Sequence, residues 1–255
     1  MYDFLSLMPE LAAHRTTVTR LRPLPGEPGA RDSSVGGPLL WPEDEKWPVC
    51  DDAHYGAEPG PVELVAVAQL FRRDILDFTG PDGIDLAQVL WCPMDHPERE
   101  YCPKVEIRYR READVADPVA PREAPESANE EYLLRPCVVR PVRATEYTHH
   151  RALPAALLAR IEDLDDEAVD DYEDFARSRG FKAGGLPNWS MTDPEDMACE
   201  ACAAPMRLLM TVDGWEEDDA EDRTPTDMQI GRGVSLDVWA CRTGLPHPTR
   251  TRMGH

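Results

Sequence analysis

Two Gly-Gly-x-x-x-Trp motifs constrain this chain more than any other feature. Gly36-Gly37-Pro38-Leu39-Leu40-Trp41 is answered 148 residues later by Gly184-Gly185-Leu186-Pro187-Asn188-Trp189. One such match would be chance, but further markers follow in the same order. Cys50 aligns with Cys199 and His54 with Cys202. The apolar run Leu64–Leu70 aligns with Met206–Val212, and Gly83 with Gly233. Trp91-Cys92 then answers Trp239-Ala240-Cys241, and His96 answers His247 at an offset of 151. An ordered series held this closely reads as an internal duplication. Its period is far too long for a solenoid unit of about 20–50 residues.

Between the markers the chain reads mostly as strand. Val105, Ile107 and Tyr109 alternate with Glu106, Arg108 and Arg110, the period-2 pattern of a half-buried strand, and Thr17–Leu21 does the same. The two apolar runs and Val138-Val139 suit central strands, and Pro81-Asp82-Gly83 is turn chemistry leading into Ile84–Cys92. One helix is expected, with Leu157, Ile161, Leu164, Ala168, Tyr172 and Phe175 on one face and a row of acids from Glu162 to Asp174 on the other. Gly180 is its expected stop. Arg111–Asn129 reads as a loop, and so does the acidic run Asp213–Asp222. The expected fold is therefore α+β: two duplicated, mainly antiparallel β-rich halves about a pseudo-twofold, joined by an acidic amphipathic helix. An N-terminal repeat with extra strands covers 1–150, the linking helix 151–180 and a C-terminal repeat 181–255, in one compact unit.

Charge narrows the function. Forty-nine acids against 27 Lys and Arg give a formal net charge of −22. Nucleic acids and anionic membrane surfaces are poor partners for such a chain, because both select clustered basic residues. A basic protein is the partner this charge suits. The first residues have neither a basic segment nor a long apolar one, and no window of 18 residues is apolar throughout, so a cytoplasmic protein without a membrane span is expected. Seven cysteines in a chain of this length then point to metal ligands or buried thiols rather than disulfides.

Two constellations could carry chemistry. Cys199-x-x-Cys202 followed by Cys241 and His247 can close a tetrahedron around zinc. Cys50, His54, Cys92 and His96 occupy the same four places in the first half, with one thiolate replaced by another good zinc donor. The plainer reading is a mixture of buried thiols and surface histidines. Prolines 48, 93, 205 and 246 beside the candidates suit either. Four protein ligands would leave no open position for activated water, so zinc here would be structural. Cys102 and Cys137 read as packed thiols, His149-His150 as a solvated pair, and Cys92 with His96 lacks the orienting group of a nucleophilic dyad. The run Asp213–Asp222 lacks the spacing of a calcium loop. No phosphate-loop or nucleophile-elbow motif occurs, and the Gly-Gly pairs read as turns needing positive φ before an aromatic anchor.

The segments Gly36–Pro42, Trp47–Cys50, Val67–Leu70, Gln88–Pro93, Gly184–Ser190 and Ala203–Leu209 together resemble the YwqG-like family, from about Ser33 to His247. More distantly, the chain is similar to the C-terminal region of the programmed cell death protein 2 family, where Gly-Gly-x-Pro-x-Trp precedes Cys pairs; His54 departs from that pattern. The YwqG-like domain has no known function, so the resemblance implies a duplicated α+β fold and no reaction. The distant relatives are implicated as chaperones of a basic ribosomal protein. The leading expectation is a non-catalytic, zinc-stapled protein-binding module, chaperone-like or immunity-type. The alternative is an enzyme acting on a small molecule in the cleft between the repeats. Metal storage or sensing is a third reading, one that requires an open, exchangeable site.

Overall fold

A computed structural model describes residues 2–55, 60–116, 118–189, 192–216, 222–231, 235–243 and 247–254. In chain order the strands are β1 (Arg15–Arg20), β2 (Pro23–Pro25), β3 (Ser34–Val35), β4 (Val49–Cys50), β5 (Val62–Glu63), β6 (Val65–Phe71), β7 (Leu86–Trp91), β8 (Val105–Arg110), β9 (Cys137–Val139), β10 (Val142–Tyr147), β11 (Lys182–Gly184), β12 (Met206–Val212), β13 (Ser235–Cys241) and β14 (Arg250–Gly254). The α-helices are α1 (Phe4–Leu7), α2 (Ala155–Glu162) and α3 (Ala168–Ala176). The architecture is mixed α+β, and every strand pair among the described residues is antiparallel.

The strands form two six-stranded sheets and a small hairpin of β4 and β5. One sheet runs β10-β1-β11-β12-β13-β14 and the other β2-β9-β3-β6-β7-β8. Early strand β1 thus lies in the sheet completed by the C-terminal strands, while β9 inserts between β2 and β3 of the other. The chain changes sheets between β1 and β2 and again between β9 and β10. These crossings meet: Leu21 N donates to Phe181 O, and Arg140 N donates to Leu21 O.

Strands β7 and β13 are buried along their whole length, which explains their near-continuous apolar sequences. Val67, Val89 and Ile107 of one sheet share a core with Met210, Leu236 and Val238 of the other. The junction between the sheets is therefore packed with side chains. Each all-buried strand carries a polar residue with a defined task, Gln88 in β7 and Asp237 in β13. Gln88 Nε2 donates to Leu40 O and to Gln69 Oε1, which itself accepts from Leu40 N. Asp237 Oδ2 accepts from Asn188 N while Oδ1 accepts from Thr211 Oγ1. Both arrangements hold the residue just before a motif tryptophan, and a buried polar group satisfied in this way specifies position without an unpaired cost. Arg110 then lies 4.4 Å over the Trp41 ring and Arg252 4.4 Å over Trp189.

The Gly-Gly pairs do need positive φ: +76° and +87° at Gly36 and Gly37, +68° and +76° at Gly184 and Gly185. A Cβ on Gly36 would sit 2.7 Å from Arg135 O, so both conformation and space exclude a side chain there.

The single expected linking helix is instead two short ones, α2 and α3, broken over residues 163–167. The break has a local cause. Asp163, Asp165, Asp166 and Glu167 crowd like charge at helical spacing, and Asp165 Oδ1 accepts from Glu167 N, a turn that competes with the helix. Gly180 does not stop the helix, which ends at Ala176 as Arg177 turns extended. The apolar faces of α2 and α3 enclose Phe4, Met8 and Leu11 from the N-terminus, and Phe175 stacks on Tyr147 of β10 at 4.7 Å. Of the acidic run Asp213–Asp222, residues 217–221 lie outside the described ones, as does the Gly233 marker. The described part is not a surface loop throughout: Glu216 is buried and accepts from Phe181 N.

Candidate metal centres

Strand ends deliver the first quartet. Cys50 closes β4 and His54 follows it, while Cys92 follows β7 and His96 caps the short turn after it. The register of β6 against β7 and of β4 against β5 brings these two Cys-x-x-x-His segments together. One donor atom from each of Cys50, His54, Cys92 and His96 lies within 4.8 Å of all the others. Cys92 Sγ is 3.4 Å from His54 Nε2, and the two imidazole rings meet edge-on at 5.0 Å. Trp41, tilted against Trp47 with ring centroids 4.8 Å apart, joins Cys50 and Cys92 in a local core.

The second quartet, Cys199, Cys202, Cys241 and His247, meets the same distance limit. Ala198 pairs with Pro205, and Ala203 N donates to Cys199 O, which folds Cys199–Ala203 into a tight turn with Ala203 at φ +56°. Cys241 ends β13 and His247 reaches back to it. His247 Nδ1 is 3.2 Å from Cys241 Sγ and 3.4 Å from Cys199 Sγ, and the Cys202 and Cys241 sulfurs are 3.6 Å apart. Trp189 and Trp239 pack here beside Cys199 and Cys241. Pro246, one of the flanking prolines, lies outside the described residues.

Both sets could hold a metal ion. Zinc–ligand bonds of about 2.0–2.3 Å make tetrahedral edges of roughly 3.3–3.8 Å, which the sulfur–nitrogen and sulfur–sulfur contacts above match to within about 0.1 Å. Electrostatics point the same way. Burial, then the neighbouring Cys50, raises the Cys92 thiol, while burial and the facing His54 lower His96 to about 4. His96 Nε2 is buried and has no hydrogen-bond partner among the described residues. A cation among these groups would favour thiolate and neutral imidazole donors and satisfy the orphaned nitrogen. In the second quartet the Thr243 hydroxyl, 3.1 Å from Cys241 Sγ, lowers that thiol to about 6.

All eight expected ligands are thus gathered, four and four. Cys102 and Cys137 stay apart as buried thiols in the main core, the latter pushed up to about 11 by burial. The expectation for His149-His150 does not hold. His150 is buried, and its Nδ1 lies 2.8 Å from Glu173 Oε1, with His149 Nε2 3.3 Å from the same oxygen. Arg151 N donates to His149 Nδ1, which leaves Nε2 to carry the proton toward Glu173. These three residues could also hold a metal; both imidazoles stand at ion-pair distance from the same Glu173 oxygen. Burial holds His150 below the ordinary histidine range despite Glu173. The sequence signal was available: Glu173 belongs to the acidic row from Glu162 to Asp174, where one acid among nine could not be singled out. Beside His149 a cavity of about 150 Å³ is lined by Glu146, Tyr147, Glu173, Arg177 and Trp189 among others. It lies between α3 and one sheet, not between the two sheets.

Comparison with known protein families and with curated proteins found no match for this chain.

Proposed function

We propose that this chain is a non-catalytic protein-binding module of the YwqG-like kind, cytoplasmic, stapled by two structural zinc ions and directed at a basic partner. The observation that carries the reading is the closure of both quartets by four protein donors each. Such sites hold small β-units together and leave no position for substrate. Zinc is the metal that suits a Cys2His2 and a Cys3His donor set.

The duplication belongs to the same reading. Strands β3, β6, β7 and β8 take the same order as β11, β12, β13 and β14, with a register shift between the second and third in both sets. Gln88 with Arg110 over Trp41 corresponds to Asp237 with Arg252 over Trp189. In these terms β1 and β9 are matching strands exchanged between copies, so neither copy would fold alone.

A partner-facing role rests on charge. The exposed sides of α2, α3 and the turn between them carry Glu162, Asp163, Asp166, Glu167, Asp170 and Asp174. Complementary charge raises encounter rates with a cationic protein and makes binding salt-dependent. No helix among the described residues is long and apolar enough to cross a membrane. The test is metal content and capture together. Tag-free protein should carry about two zinc ions per chain, as the two quartets require, and should retain a basic partner at low salt that 0.5 M salt (about twice the screening of physiological buffer) releases. Protein without zinc, or capture indifferent to salt, sinks the reading.

A second reading, an enzyme acting on a small molecule, draws on the cavity beside His149. A cleft of about 1000 Å³ at the expected location, lined by Lys104, Glu106 and Arg108 of the first half and by Glu195, Arg250 and Arg252 of the second, also supports it.

A further inference from the structure

The two quartets differ where chemistry from outside would begin. Cys50 and Cys92 are fully buried, and Trp41 and Trp47 pack against them. In the second quartet Cys199 and Cys241 are buried but Cys202 is exposed at the tip of its turn. Its sulfur lies 3.6 Å from that of Cys241, already at van der Waals contact. A disulfide requires about 2.05 Å, so a small change in side-chain torsion suffices if the turn carrying Cys202 yields. That turn is closed on itself by the Ala198–Pro205 bridge and its own backbone bonds, with residues 200–203 exposed at its tip.

We propose that Cys202 is a hydroperoxide-sensitive modification site, and that its oxidation to a disulfide with Cys241 opens the second metal centre while the first stays intact. Cys202 Sγ attacks the peroxide O–O bond; an S–O bond forms, the O–O bond breaks, and the alcohol (water from hydrogen peroxide) leaves. Cys241 Sγ then attacks Cys202 Sγ; the S–S bond forms and the sulfenic oxygen departs as water. Two thiols lose two electrons and one hydroperoxide gains them. Protons for the departing oxygens come from the thiols, or from solvent where the pair starts as thiolates. Cys199 and His247 remain, too few donors for a four-ligand site. Thiol reductants reverse the step by exchange.

The inference rests on the metal-bound reading for the released ion, but not for the disulfide. The experiment therefore begins by measuring the metal content of the full chain. Hydrogen peroxide is then added, released metal is followed with a colorimetric chelator, and thiols are mapped by differential alkylation and peptide mass spectrometry. Cys202 and Cys241 should become linked, with one ion released per chain, at a rate at least ~10-fold above any loss of Cys50 or Cys92, as expected where exposure controls reactivity. Cys202→Ser should abolish the disulfide; if that variant folds poorly, the relative alkylation rates in the unmodified chain decide the matter. Equal oxidation of Cys50 and Cys92, a Cys199–Cys202 link, or a Cys202 that stays reduced would overturn the proposal. A chain without metal that still forms the Cys202–Cys241 link would overturn the zinc reading instead.

Discussion

Cys92 Sγ lies 3.4 Å from His54 Nε2, joining the end of β7 to the loop after β4 across 38 residues of chain. With Cys50 and His96 this contact forms only in the folded state, so a bound metal adds its binding free energy to folding. Chelation should therefore destabilise the chain strongly. A metal at ~1,000 times its Kd contributes about 4 kcal/mol, which corresponds to a fall in Tm of roughly 10 °C in a domain of this size. Differential scanning calorimetry with and without a strong chelator measures it. An unchanged Tm would mean that the quartets are only packed thiols and imidazoles.

Cysteine substitutions should sort into two groups. Cys92→Ala removes a ligand and should drop zinc content from two ions to one, leaving His54, His96 and Cys50 as an incomplete set. Cys137→Ala should leave metal content at its starting value, because Cys137 lies in the main core, donating to Pro225 O at 3.3 Å. Its cost should be about 1 kcal/mol, as for removing one small buried group. Metal analysis of the two variants side by side separates ligand from filler; loss of an ion from the Cys137 variant would contradict the assignment.

The candidate ligands were legible because recurring sequence markers supply their own alignment: Cys241 and His247 stand out only when read against Cys92 and His96. Strands β6 and β12 were legible for the simpler reason that mostly buried strands are mostly apolar. The exchange of β1 and β9 between sheets left no such trace. Thr16–Val18 and Cys137–Val139 alternate or run apolar in any sheet, and nothing local specifies the partner strand. The linking helix was overread for a related reason. Its 3.6-residue period continues through the turn, and only the hydrogen bond from Glu167 N to Asp165 Oδ1 reveals the interruption. His149 and His150 were misread because their burial depends on Glu173 of α3, a tertiary contact.

The first motif glycine should tolerate substitution far less than a turn glycine of the same φ. Gly36 and Gly83 both have φ +76°, so alanine at either meets the left-handed strain of about 1–2 kcal/mol. At Gly83 a Cβ would meet nothing within 4 Å, whereas at Gly36 it would approach Arg135 O to 2.7 Å. Gly83→Ala should therefore cost about 1 kcal/mol and Gly36→Ala about 3 kcal/mol or more, since the carbonyl belongs to backbone that cannot rotate away. Urea denaturation of the pair is the check. Equal costs would show that the segment carrying Arg135 yields.

Asp237 should impose a pH dependence of its own. It is buried in β13, where it accepts from Thr211 Oγ1 and Asn188 N, and burial raises its carboxyl to about 6 from the ordinary 3.8 despite these donors and nearby Lys182. A folded-state value above the unfolded one means that the fold binds the proton more tightly. The resulting stabilisation is complete below about pH 4 and is lost as pH rises through about 6. The difference corresponds to about 3 kcal/mol. Asp237→Asn resembles the protonated form at every pH, keeps an oxygen for one of the two donors, and cannot ionise. The stability of the natural chain relative to this variant should therefore fall between pH 4 and pH 7 by up to about 3 kcal/mol. Metal lost at low pH is common to both chains and cancels in the difference. Urea midpoints at four pH values across this interval provide the measurement, and parallel stability curves for the two chains would show that Asp237 is already ionised throughout.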